Sequence, residues 1–114
     1  MRKLNLENYT AHSKVLDPAM PGQFISIEFP YPVKDSIIQI LLAPELRLTG
    51  PEALKANIVA MKIESCTEPT ILLEEEEWNR LSQAINKLTG FSRADVELIE
   101  RINNAEVVEV QAKA

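Results

Sequence analysis

His12 and Cys66 are the only histidine and the only cysteine among 114 residues. A thiol beside an imidazole is the minimal nucleophile–base couple of covalent catalysis. Such a couple also needs donors for the developing oxyanion, commonly supplied by a glycine-bearing turn. The three glycines, Gly22, Gly50 and Gly90, each stand at an apparent element boundary, so the sequence offers neither an oxyanion loop nor a phosphate-cradling loop. His12 reads as a strand-end surface residue and Cys66 as a thiol near a helix end. The expectation is a protein that is not an enzyme and takes no cofactor.

The other concentration of reactive groups is the run Glu74, Glu75, Glu76, Glu77. A metal ion needs ligands that converge on it. Successive helical residues instead fan out by about 100° each, so four in a row cannot share one ion, and no metal site is expected. The first turn of a helix explains them better. Four unpaired N–H groups and the positive end of the dipole lie there and favour carboxylates. The four glutamates are also the acidic contact to which a basic partner would bind.

Two aromatic features invite contact. In "FPYPV", Phe29 to Val33, Tyr31 is held between two prolines as a rigid amphipathic group of the kind enriched at interfaces. Phe29 and Tyr31 are therefore candidate partner-binding residues, against the plainer reading of a stiff turn filling the sheet edge. Trp78, the single tryptophan, falls on an inner helix stripe and is read as core.

The chain's length argues for a single domain, residues 1–114, able to bury about two-thirds of its unfolded surface. Charged residues make up 25% and aromatics 5%, so the core is aliphatic. A lone cysteine forms no internal disulfide, the basic N-terminus is followed by no apolar stretch, and no segment is greasy enough to span a bilayer. A soluble protein of the cytoplasm, or of a virion, is expected. Net charge is −5, and all the excess lies after residue 57. That argues against non-specific binding to nucleic acid or to an anionic membrane.

The elements follow from periodicity. "KLNLENYTAH", residues 3–12, begins with period-two alternation and reads as a strand, followed by a proline-rich loop over 16–22 and a second, antiparallel strand over "QFISIEF". The prolines of "FPYPV" end that sheet. "KDSIIQILLA" is a short buried helix capped by Asp35 or Ser36. Thr49 and Glu52 form a capping box for the next helix, with Leu54, Ile58 and Met61 as its inner stripe, helped by Ala53 and by Val59 or Ile63 at its edge. "TILL" makes a small strand. The glutamate run then opens a helix with Trp78, Leu81, Ile85 and Leu88 inward, a Glu76–Arg80 pair on its surface, and Gly90 as its stop. Ser92 and Asp95 box a last helix with Val96, Ile99 and Ile102 buried. "EVVEV" is a final strand, Val107, Val108 and Val110, with 111–114 frayed. The class is α+β: a small, mostly antiparallel sheet of three to four short strands, with about four helices on one face.

A few short strands leave open edges, and the strand Ile25–Phe29 or Val107–Val110 would pair with another subunit or partner. The start "MRKLNLENYT", the middle "YPVKDSIIQILLAPELRLTGPEALKANIVAMKIES" and the end "TILLEEEEWNRLSQAINKLTGFSRADVELIERINNAEVVEV" resemble small accessory proteins of tailed bacteriophages and prophages. The resemblance covers most of the chain and assigns no functional residue. It implies a non-enzymatic role through protein–protein contact, in tail or virion assembly, as an oligomer or a complex subunit. Two alternatives remain: an acidic inhibitor of a host nucleic-acid-binding protein, and a small-molecule enzyme or carrier. No direct nucleic-acid, membrane or small-molecule partner is expected.

Overall fold

The computed structural model describes residues 1–109, so Val110 and the tail 111–114 lie outside it. Within them the fold is α+β, with five strands, four α-helices and two 3-10 turns. The strands form two sheets rather than the single sheet expected from the alternation.

The first expected strand is in fact two. Strand β1, Arg2–Asn5, and strand β2, Tyr9–Leu16, flank a break at Leu6–Asn8. The Asn5 side chain causes part of that break, since its Oδ1 accepts from the Glu7 amide at 2.8 Å and turns the chain. Leu4 and Leu6 are both buried, as period two demands. Strand β1 is the centre of the larger sheet. It pairs antiparallel with β4, Thr70–Leu73, and with β5, Glu106–Val107, with Arg2 opposite both Leu73 and Val107. Val108 extends that edge by one bond, its amide donating to the Met1 carbonyl at 2.7 Å.

Strand β2 instead pairs along all eight residues with β3, Phe24–Tyr31, in a long hairpin. Strand β3 runs through Pro30, where the sequence suggested the sheet would stop. Each strand of a two-stranded ribbon has a free edge, and a proline there costs no ladder bond. Both strands outlast their expected limits, and β2 continues past His12 because Val15 keeps the alternation of Tyr9 and Ala11. The connecting turn is closed by Asp17, whose amide donates to the Gln23 carbonyl at 2.8 Å and whose Oδ1 accepts from Ala19. Gly22 supplies the left-handed φ of +82° this turn requires.

Helix α1, Val33–Leu41, starts earlier than expected. Its cap is Pro32 rather than Asp35 or Ser36, and the Val33 amide is satisfied by Asn8 Oδ1 at 3.0 Å. Helix α2, Gly50–Ser65, begins where the sequence places it: Thr49 Oγ1 accepts from the Glu52 amide at 3.3 Å and donates to Glu52 Oε1 at 3.0 Å. Its inward face is turned from the expected stripe toward the edge residues Val59 and Ile63. Ala56, Val59, Ala60 and Ile63 are buried, whereas Leu54, Ile58 and Met61 stand 69%, 63% and 59% exposed. Helix α2 has apolar residues on both sides, and the side that packs on the core carries the two alanines, leaving the bulkier stripe outside.

Helix α3, Glu75–Lys87, buries Leu81, Ala84 and Ile85, with Trp78 and Leu88 packed against the core. The helix ends at Lys87 with Leu88 as an extended C-cap, so Gly90 is not the stop the sequence suggests; at φ +85° it turns the connection two residues later. The Ser92–Asp95 box forms, the Ser92 amide donating to Asp95 Oδ2 at 2.8 Å. It opens a 3-10 turn, Arg93–Asp95, that leads into helix α4, Val96–Asn103. Leu98 and Ile102 are the buried residues of α4, while Ile99 packs at the core's margin and Val96 is exposed, so the expected stripe is rotated by part of a turn. One core, centred on Leu4, Val33, Ile37, Ile63, Leu73, Leu81, Leu98 and Ile102, joins all four helices to β1 and β4. Each of these fully buried aliphatic side chains stabilises the fold by about 1.5–3 kcal/mol.

Candidate functional site

The molecule measures 65 × 32 × 22 Å, and the hairpin β2–β3 accounts for its length. The core reaches up this arm only as far as Ala11 and Phe29. Beyond them every residue of both strands is exposed.

The base of the arm is built from aromatic groups. Tyr9 and Tyr31, opposite each other in the ladder, stack with ring centroids 4.7 Å apart. The Tyr9 hydroxyl donates to the Ala94 carbonyl at 2.5 Å, and the Tyr31 hydroxyl donates to Asp95 Oδ1. Burial raises the pKa of both phenols, and the acceptor Asp95 raises that of Tyr31 further. Both therefore remain protonated donors. Arg101 lies over the Tyr9 ring, 4.9 Å from its centroid, donates to the Glu7 carbonyl at 2.6 Å and pairs with Glu97 at 2.9 Å. The 3-10 turn and α4 thus grip the arm's root.

The outer half has no such support. The ladder places Ser13 beside Ile27 and Val15 beside Ile25 on the face that continues from Ala11 and Phe29. The opposite face carries His12 beside Glu28, Lys14 beside Ser26, and Leu16 beside Phe24. At the tip Leu16 and Phe24 are 64% and 65% exposed, and Met20 in the turn is 52% exposed. An isolated two-stranded hairpin is marginal in water.

The residues singled out in the sequence are placed as follows. Tyr31 is buried at the arm's root, so the proline–aromatic corner faces inward, and Phe29 is half-buried above it. The four glutamates open α3 with three different local roles. Glu75 forms a bifurcated pair with Arg2, whose Nη2 lies 2.9 Å from its Oε1, and that bond holds the Glu75 carboxyl below the usual range. Glu77 pairs with Lys62 at 2.8 Å and accepts from the Glu74 amide. Glu74 and Glu76 face solvent, and the expected Glu76–Arg80 pair is not among the ion pairs formed by the described residues. Trp78 lies against the core, its Nε1 donating to the Ile102 carbonyl at 2.8 Å beneath the Arg2 guanidinium.

His12 sits on the arm, 3.9 Å from Glu28. Cys66 sits at the end of α2, its thiol directed at the Glu68 and Thr70 carbonyls at 3.6 and 3.7 Å. The two share no partner. Among the described residues no group of three His, Cys, Asp or Glu side chains could hold a metal ion, and no helix is long and apolar enough to cross a membrane. The open cavity of about 380 Å³ between α1 and the α3–α4 connection is lined by Tyr31, Ser36, Gln39, Phe91 and Asp95 among others. Its Tyr31 and Asp95 are already engaged with each other.

No protein-family model, no curated protein and no solved structure matches this chain.

The outer arm is partly legible in the sequence: the alternation of Ile25, Ile27 and Phe29 reads as a strand, and the strand forms. What sequence reasoning missed is the length of β2 and the exposure of Val15, Leu16 and Phe24. The continued alternation through Val15 was the available signal.

Proposed function

We propose that the chain is a non-catalytic protein-contact module that works as an oligomer or complex subunit in building a larger assembly. The observation that carries this reading is the arm: an apolar ribbon braced by a tyrosine stack at one end and left without support at the other. Exposed ladder edges and an uncharged face suit strand addition and apolar packing against protein. The resemblance of the sequence to accessory proteins of tailed phages points to a tail or virion as the assembly. Inhibition of a basic host protein through the glutamate run is less well supported, because Glu75 and Glu77 are held by internal cations.

Native mass spectrometry of the protein purified from the cells that make it tests the reading. The wild-type chain should run as a defined complex, with itself or another protein, and Phe24→Asp or Ile27→Asp should release it. A bare monomer in every preparation, or a complex indifferent to both arm variants, would overturn it.

A further inference from the structure

The arm is fastened to one short stretch of chain. Stacked within 13° of parallel, the Tyr9 and Tyr31 rings deliver their hydroxyls to consecutive residues, the Ala94 carbonyl and the Asp95 carboxylate. Arg101 adds a third point, donating to the Glu7 carbonyl just before β2 begins. The joins at Leu6–Asn8 and Pro32 belong to neither strand nor helix, so they impose no direction of their own. Buried Ala11 and Tyr31 hold the root against the core, but apolar packing is non-directional. A single hydrogen bond lets an element turn about it. Two side by side, one from each strand, fix its heading.

Ala94 offers a carbonyl that any residue would supply. Asp95 offers its side chain, and that side chain has a second duty. Its other oxygen accepts from the Ser92 amide at 2.8 Å and the Ser92 hydroxyl at 3.1 Å, closing the turn that carries Ala94. One carboxylate therefore holds the Tyr31 point directly and the Tyr9 point through the shape of the turn. Bonds to an ionised acceptor are the stronger kind. We infer that Asp95 is the positioning residue of the arm and sets the direction in which the outer hairpin is presented. This rests on reading the arm as a protein-contact element. The lever is long enough for small errors to matter. From Ala11 to Leu16 the strand rises about 17 Å at 3.3 Å per residue, so a tilt of about 10° at the root carries the tip about 3 Å. A contact surface displaced that far no longer meets its partner in register.

The test is a distance measurement on the full chain. Nitroxide labels go on Lys14→Cys in the outer arm and Lys87→Cys at the end of α3, both exposed positions, in a Cys66→Ser background, and are read by pulsed electron resonance. This parent should give one narrow distance. Asp95→Ala should broaden or displace it by about 3 Å or more. Glu75→Gln, which removes a tie between β1 and α3 instead, should leave it narrow. An unchanged distance in Asp95→Ala, or equal broadening in Glu75→Gln, would overturn the assignment. Should Asp95→Ala fail to fold, Tyr9→Phe combined with Tyr31→Phe removes the same two attachments and keeps the stack. A narrow distance in that double variant would overturn it as surely. Asp95→Ala should also raise the Kd of the assembly about tenfold or more, with Phe24 and Ile27 untouched. A loosened arm that assembles as well as the wild type would end the positioning role. If Phe24→Asp and Ile27→Asp release nothing while Asp95→Ala still broadens the distance, the contact reading falls and the hold of Asp95 on the arm stands.

Discussion

The Tyr31 hydroxyl donates to the Asp95 carboxylate across 64 positions of sequence, tying the root of the arm to the turn that opens α4. Asp95 uses its other oxygen to cap that same turn through the Ser92 amide. One carboxylate thus joins the arm's orientation to the start of the last helix.

Tyr31→Phe keeps the stack on Tyr9 and removes only the donor. A half-buried hydrogen bond to a charged group contributes about 1.5–3 kcal/mol, and urea denaturation should show a loss near the lower end because Asp95 retains its Ser92 bonds. Alkali should have the same effect on the wild type. The folded pKa of Tyr31 is raised, so its stabilisation is complete below the ordinary phenol value of about 10 and fades as pH rises beyond it. A Tyr31→Phe protein should therefore lose less stability than the wild type above that pH.

The two faces of α2 should respond in opposite ways. Ile63→Ala, at a position with no exposure, should cost about 2–5 kcal/mol in chemical denaturation. Ile58→Glu, on the outward stripe, should leave the monomer's stability within about 0.5 kcal/mol. Equal losses at both positions would mean the helix is rotated from the orientation described.

Arg2 and Glu75 tie β1 to α3, with the guanidinium also 4.0 Å from the Trp78 ring centroid and bonded to the Ala105 carbonyl at 3.1 Å. The bond from Arg2 depresses the Glu75 pKa, so the stabilisation is present above the unfolded glutamate value of about 4.3 and is lost as pH falls through the folded one. Thermal melts of wild type and Glu75→Gln should differ at neutral pH and converge on acidification. A gap that persists in acid would assign the difference to packing instead.

Amide exchange should divide the hairpin. Ladder amides of Tyr9 and Tyr31 are braced by the core, while those of Val15 and Ile25 rest on a two-stranded ribbon alone. Local opening frees such amides without global unfolding, so hydrogen-exchange mass spectrometry should show the outer segment exchanging ahead of the base. In the assembled form that difference should shrink.

Local chemistry alone settled much of this protein. The Thr49 cap of α2, the Ser92–Asp95 box, the helix opened by Glu74 to Glu77 and the α+β class follow from short-range rules, because caps, turns and periods are satisfied within a few residues. The tertiary structure alone decided which apolar face turns inward. Leu54, Ile58 and Met61 are more hydrophobic than Ala56 and Ala60, yet the alanines are inside, since a helix with apolar residues on both sides has a period that does not choose between them. The same holds for the arm: alternation in β2 and β3 identifies an apolar face, but whether a body lies beneath it depends on where the hairpin's root is fastened, and Tyr31 and Asp95 fix that from opposite ends of the chain.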